Sequence, residues 1–391
     1  MWERKAMEQG YDPVLIQTYG DRLSEAVKKG YGIDYVDVDF DSPDYRKLRS
    51  LEKNIWQFSS AKTYSQLKEM SDALRRPDGT LRTFEEFRIQ TALITGKQLR
   101  HLKTEYQTAI AGAQMASKWE EIQRMKATYP LLEFIAVEDD HTTALCRSLD
   151  GVIRPVDDAF WMQFYPPNHY NCRSTVKQLR KGNITPDDEI ARPEIPEIFK
   201  VNLGQRGLAF PEDHAYFEGT PPEVMKASRQ FYPYNMQMDI LDVSESTLGI
   251  VRQHYMVDTT ASDYMRNYEI AVERARREKV IVDLLPTLGR EQDRAQRLIV
   301  FPDAKPGKSP DLRMDKVLWE EERSTNSRNL NNVKNAIGAG YKQANHVIIS
   351  LSEQLDEQTL YRIVNGRWID HKDLKEIVFR FNDQEWVYKR P

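Results

Sequence analysis

This chain of 391 residues is poor in cysteine. It has two, Cys146 and Cys172. Two thiols cannot form the disulfide framework of a small secreted scaffold, so reduced thiols or a metal clip are the expectation. Long apolar runs are also missing, and nothing approaches the ~18 residues needed for a membrane span. The amino terminus is charged and lacks the apolar core of a signal peptide, so synthesis in the cytoplasm and no membrane partner are expected. There is no internal repeat, no low-complexity tract and no nucleophile with a placed base. A basic tail is absent too. Residues 1–267 carry 34 Lys+Arg against 40 Asp+Glu, and residues 268–391 carry 22 against 20. Contact with nucleic acid would therefore have to come from a local patch rather than bulk charge.

What is present describes a multidomain α+β protein. The hydrophobic fraction is 40% and the charged fraction 30%, and a domain takes roughly 100–200 residues. The first 120 or so residues read as helical. Residues 1–50 form a helical extension. Leu51–Phe58 and Thr63–Met70 place apolar side chains at helical spacing. Pro77-Asp78-Gly79 marks a turn, and Thr83 with Glu86 forms a capping box. A long amphipathic helix then runs from Leu99 to Met125, with Leu102, Tyr106, Ile110, Ala113, Trp119 and Ile122 near one face. A strand follows over Leu131–Val137, and a small irregular β-containing end with the two cysteines closes this part. Residues 181–267, rich in Pro, Gly and acidic groups, read as a connector.

From Tyr268 the rhythm becomes that of an α/β domain. A charged helix reaches Lys279. Strands are expected over Val280–Leu285, Leu298–Phe301, Asp311–Met314 and Val317–Trp319. A helix over Asn329–Gln343, a buried strand over His346–Leu351, a helix over Glu353–Val364 and a strand over Glu376–Phe379 complete it.

Two sets of motifs carry resemblances. The first comprises Cys146-Arg147-Ser148-Leu149-Asp150-Gly151, Asp157-Asp158-Ala159-Phe160-Trp161 and Tyr165-Pro166-Pro167-Asn168-His169-Tyr170-Asn171-Cys172-Arg173. In this order it resembles the C-terminal signature of the phage Mu protein F family of minor head, or head morphogenesis, proteins, over about residues 50–180. That resemblance implies a virion component inside the head or capsid, with portal and capsid proteins as partners. Many relatives carry extra cysteines at the positions of Thr143 and Ser174, which makes a zinc-like set. Here Cys146, His169 and Cys172 remain, with His141 near in sequence, and the resemblance implies a residual structural zinc. The alternative is that Cys146 is a small buried hydrophobe.

The second set runs from Lys308-Ser309-Pro310-Asp311 through Glu320-Glu321-Glu322-Arg323 to Lys342-Gln343-Ala344. It resembles the nuclease domains of contact-dependent growth-inhibition and other polymorphic bacterial toxins. The order helix, three strands, helix, strand is similar to PD-(D/E)xK nucleases, and tRNase-like domains grouped with barnase and colicin nucleases are a related resemblance. It implies a phosphodiesterase acting on RNA, as a tRNase, or on DNA, and an immunity protein as a further partner of any toxin. Asp311 and Glu320 would hold a divalent cation, Mg2+ or Mn2+, through oxygen ligands. Glu322 or Arg323 stands where such families have lysine, and an arginine cannot give up a proton as lysine does. A metal-free route through Arg323, Lys342, Gln343 and His346 is the other option. Two further readings stay open: a purely structural head protein with a degenerate nuclease fold, and a host-encoded toxin on a phage-derived carrier.

Overall fold

The structure is a computed structural model. It describes all residues except 2, 4–6, 8, 34–37, 41, 242–248 and 383. Parts of the amino-terminal extension and of the expected connector therefore lie outside the described residues. The chain divides into two compact units, Met1–Tyr232 and Pro233–Pro391.

The first unit opens with three helices: α1 (Pro13–Tyr31), α2 (Pro43–Asp72) and α3 (Phe84–Met125). Each start is set by a local signal. Asp12 and Ser42 cap α1 and α2, each followed by proline, whose fixed φ suits the first helical turn. Thr83 and Glu86 form the reciprocal capping box of α3, which places the start of that helix well before Leu99. The helices approach closely where side chains are small. A Cβ on Gly30 would meet the Ile110 carbonyl of α3, and one on Gly20 would strike the Trp56 ring of α2.

After α3 come β1 (Leu131–Ile135), α4 (Ala144–Leu149), β2 (Ile153–Pro155), α5 (Phe160–Phe164) and β3 (Thr175–Leu179). The strands form a three-stranded antiparallel sheet in the order β2-β1-β3. Its core gathers Trp119 and Ile122 of α3 with Phe134, Cys146, Phe160, Trp161, Phe164, Tyr165 and Cys172. Residues expected to form a connector join this unit as far as Tyr232. Ile190, Ile195, Phe199 and Leu203 enter the same core, and Phe210 stacks on Phe58 at 3.8 Å between centroids. Three short helices, α6 (Leu203–Arg206), α7 (Ala215–Glu218) and α8 (Pro222–Ser228), punctuate the stretch. Prolines break its helices without preventing burial of its aromatics.

The second unit contains α9 (Tyr234–Gln237), β4 (Met238–Ile240), β5 (Ile250–His254), α10 (Tyr264–Glu278), β6 (Ile281–Leu284), α11 (Arg294–Val300), β7 (Leu312–Met314), β8 (Val317–Ser324), α12 (Leu330–Gln343), β9 (His346–Leu351), α13 (Glu357–Asp370), β10 (Glu376–Phe381) and β11 (Gln384–Lys389). One eight-stranded sheet runs in the order β11-β10-β9-β8-β7-β6-β5-β4. β6, β7 and β8 form an antiparallel meander, and β9 returns parallel to β8. The order α10, β6, β7, β8, α12, β9 is the expected helix, three strands, helix, strand. Leu298–Phe301 is a correction to the expected strands. It lies in α11 and the residue after it, because Arg294, Arg297 and Leu298 at helical spacing leave only one buried face, Gln296 and Val300. β4, β5 and β11 were not expected at all.

β8 divides its side chains between two faces, as the period of two requires. Trp319 packs with α10 residues such as Ile270 and Ala271, while Leu318 belongs to a cluster with Leu288, Val300 and Phe301. Glu321 and Arg323 thus share the α10 face with Trp319. Glu320 and Glu322 share the other, where Glu322 underlies Gly340 of α12.

Candidate functional site

In the first unit, the polar residues of the signature are spent on folding. Asp150 accepts from the Ala136 amide at 2.7 Å, and Gly151 takes a φ of +76°, a conformation that a side chain disfavours. Asp158 accepts from the Phe160 amide at 2.8 Å and pairs with Arg154 at 2.7 Å. The Trp161 indole donates to the Pro155 carbonyl at 2.9 Å, and the Tyr165 hydroxyl to the Met115 carbonyl of α3 at 2.9 Å. Arg173 grips Asp139 through two contacts of 2.5 and 2.6 Å. Asp157 is exposed and partnered by Lys126.

Cys146, His169 and Cys172 do converge. The two Sγ atoms stand 3.8 Å apart, and Cys146 Sγ is 3.2 Å from His169 Nε2. Among the described residues this is the one group of three or more His, Cys, Asp or Glu whose ligand atoms all lie within 4.8 Å of one another. Thr143 explains the position of Cys146. It caps α4 by accepting from the Cys146 amide, and its hydroxyl sits 3.2 Å from His169 Nε2. His169 Nδ1 lies 2.8 Å from the Tyr170 carbonyl, which assigns the Nδ1 proton and leaves Nε2 toward the sulfurs. The close thiol pair shares one proton. The Cys146 contact holds Cys172 down at about 6, and the same contact with burial pushes Cys146 up to about 12. The hydrogen bond with Cys146 raises His169 against the opposing effect of burial. Bonds to zinc of about 2.3 Å from sulfur would set tetrahedral S···S edges near 3.8 Å, so the pair fits. His141 lines the small cavity beside Cys146 and His169 but is not one of the convergent group.

In the second unit, Asp311 immediately precedes β7 and stands across from β8. Its Oδ2 accepts from the Glu321 amide and its own amide donates to Glu320 Oε2, both at 3.2 Å. Continuing the Leu312–Trp319 pairing places Asp311 opposite Glu320, on the same face of the sheet. Glu320 and Glu321 are both buried. Burial and the neighbouring carboxylates push Asp311 up to about 7 and Glu320 up to about 10, and raise Glu322 as well. Glu320 therefore holds its proton more tightly than an exposed carboxyl does. Glu321 pairs with Arg266 of α10, Nε to Oε2 at 2.5 Å.

The remaining expected residues scatter. Arg323 and Lys342 are exposed. Gln343 is half-buried with an Oε1 that has no partner. His346 lies tilted against Trp319, 5.0 Å between ring centroids, and is lowered to about 4 by burial. Asp263, just before α10, and Asn267 within it were not singled out by the sequence. Asp263 and Asn267 line a cleft of about 550 Å3 together with Asp311. Both fall in the expected connector, ahead of the charged helix expected from Tyr268.

No solved structure matches this chain. Two curated relatives align with part of it. The Putative capsid assembly protein F of Escherichia phage Mu is 32% identical over 80 residues, 20% of this chain and 18% of that protein. The Mu-like prophage FluMu F protein of Haemophilus influenzae is 35% identical over 78 residues, again 20% and 18%. The chain thus spans under a fifth of the length of either. The stretch from late α2 through β3, residues 61–177, with its buried aromatics and its Cys–His–Cys group, matches the family model of Phage Mu protein F like proteins.

Proposed function

We propose that this chain is a head morphogenesis protein of a Mu-like phage or prophage, carried in the virion head and bound to portal or capsid proteins. The observation that supports this is the family match over residues 61–177, which falls on one folded unit whose core is built from the matching signature. No helix among the described residues is long and apolar enough to cross a membrane. The test is mass spectrometry of purified, protease-treated heads from an induced lysogen. The chain should be present and protected, and its absence from heads sinks the reading.

Cys146, His169 and Cys172 would hold one zinc ion, which ties α4 to the segment before β3 and leaves a fourth position for His141 or water. Zinc there supplies a cross-link rather than chemistry. About one zinc per chain, lost in Cys172→Ser, is the expected elemental analysis. Metal-free protein of unchanged stability would leave only the packing role.

The second unit is read as a nuclease-like effector domain acting on RNA or DNA. Its support is the strand order around β6–β9 and the juxtaposition of Asp311 with the acidic strand β8. A divalent cation there would polarise a phosphodiester and acidify a water. Asp311 would present its carboxylate to it from the cleft. One observation favours the purely structural alternative. Neither Glu322 nor Arg323 supplies a lysine, and Lys342 is exposed at the end of α12. Expression of the full chain beside an Asp311→Ala variant, scored for RNA and DNA integrity, separates the two. Equal integrity in both sinks the effector reading.

A further inference from the structure

The amino-terminal half of α3 carries an apolar stripe that no described residue of the first unit covers. Ile89, Ala92, Leu93, Gly96 and Leu99 recur at the three- and four-residue spacing that keeps side chains on one face of a helix. Ile89 is 47% exposed, Leu93 62% and Leu99 56%, and Ala92 is exposed between them. A Cβ on Gly96 would meet only the tip of Arg100, one turn further along the same helix. The opposite face of this stretch is the one that packs. Phe87 and Gln98 are buried there, and Lys97 reaches Glu69 of α2. Single exposed apolar residues are ordinary, but a contiguous row marks an interaction surface.

The two ends of the stripe carry opposite charge. Glu85 stands at its start and Arg100 and Lys103 at its end, all exposed. Glu85 pairs with Arg88 of its own helix, both side chains being 62% exposed, and such a surface contact is worth little. Arg100 and Lys103 form no ion pair among the described residues.

We propose that this face binds the same face of a second copy of the chain, antiparallel, about a two-fold axis level with Ile94. That register sets Glu85 opposite the partner's Lys103, Ile89 opposite the partner's Leu99 and Ala92 opposite the partner's Gly96. The two copies of Leu93 meet beside the axis. Ala92 and Gly96, the smallest residues of the stripe, fall nearest the crossing, where the helix backbones come closest. Every contact is made twice, as an isologous interface requires. This self-complementary spacing is what selects a second copy over an unrelated protein. A parallel pairing would set Glu85 on Glu85 and Lys103 on Lys103, which like-charge repulsion opposes. The antiparallel order also sends the two bodies to opposite ends. Gly30 of α1 meets α3 at Ile110, and the core of the three-stranded sheet joins it at Trp119 and Ile122, all beyond Lys103. The overlap from Glu85 to Lys103 spans about 27 Å of helix. So short a contact makes a weak dimer.

Sedimentation equilibrium of the full chain over a range of concentrations tests this. The expected result is a monomer–dimer equilibrium that weakens as salt is raised. Leu93→Glu sets two acids against each other at the axis. It should abolish the dimer while leaving the far-ultraviolet circular dichroism unchanged. Glu85→Lys and Lys103→Glu should each weaken the dimer by roughly tenfold. Combining the two exchanges the charges across the same contact and should restore the parent's dissociation constant, a rescue that a parallel pairing does not give. A chain that stays monomeric at every concentration overturns the proposal and leaves the face to a different protein. A dimer indifferent to Leu93→Glu overturns it by placing the contact elsewhere. A double variant no tighter than either single one overturns the antiparallel register.

Discussion

Each unit buries a charged cluster, and the two clusters are matched in opposite ways, although the second unit also buries the matched pair Arg252–Asp283. In the first, Lys62 of α2 has no exposed side-chain surface, yet it is matched by Glu105 of α3 at 2.9 Å, by Gln98 at 2.9 Å, and by the Tyr19 and Tyr216 rings. Burial lowers Lys62 and raises Glu105, but each has its counter-ion. In the second unit, Asp311, Glu320, Glu321 and Glu322 crowd together, and among the described residues only Glu321 has an ion pair. A matched pair buried between helices fixes which faces meet. An unmatched cluster costs stability, and that cost is a reason to look for a ligand.

The largest effects expected from breaking this comparison lie in the first unit. Trp161 is buried among Phe160, Phe164 and Tyr165, so Trp161→Ala should cost about 3–5 kcal/mol. Denaturant unfolding of the full chain reads this in the transition of the first unit. A loss below about 1 kcal/mol would remove Trp161 from the core.

Removing one partner of the buried pair comes next. Lys62→Met strands Glu105 and should cost about 3 kcal/mol, whereas Lys62→Met with Glu105→Leu should recover most of that loss. A double variant as unstable as the single one would show that the pair holds no register.

The smallest effect has the opposite sign and belongs to the second unit. Glu320→Gln removes an acid from the crowd while keeping its shape, and should raise stability by on the order of 1 kcal/mol at pH 8. The wild-type unit should show the same relief on acidification. Asp311 and Glu320 titrate higher in the folded chain, at about 7 and 10, than an unfolded carboxyl near 4. The folded state therefore holds more protons, and stability rises as pH falls from 8 to 6.5. Below 6.5 the trend weakens, because His346, lowered to about 4, is protonated more readily when unfolded. Chemical denaturation at pH 8 and 6.5 checks this. A second unit less stable at 6.5 would mean that the carboxylates are already neutralised.

Much of the scaffold was legible because it rests on local signals. The Thr83–Glu86 box, the Pro77–Gly79 turn and the alternation of β8 depend on neighbours within a few residues. The strand assigned to Leu298–Phe301 went astray for a complementary reason. A run of four apolar residues fits a strand or a helix, and only packing against Leu288 and Leu318 decides. The segment 181–232 looked like a connector because proline density says nothing about where Phe199 and Phe210 are buried.

The candidate sites divide in the same way. The sequence by itself determined the ligand types of Cys146, His169 and Cys172 and the acidity of β8, since residue identity fixes which atoms can donate. Only the tertiary structure decided which atoms meet. It paired Asp311 with the backbone of β8, buried Glu320 beside other carboxylates, gave Glu321 an arginine, and brought Asn267 to the cleft from a helix 44 residues before Asp311. Proximity across a sheet is set by register and helix packing, which no spacing along the chain encodes.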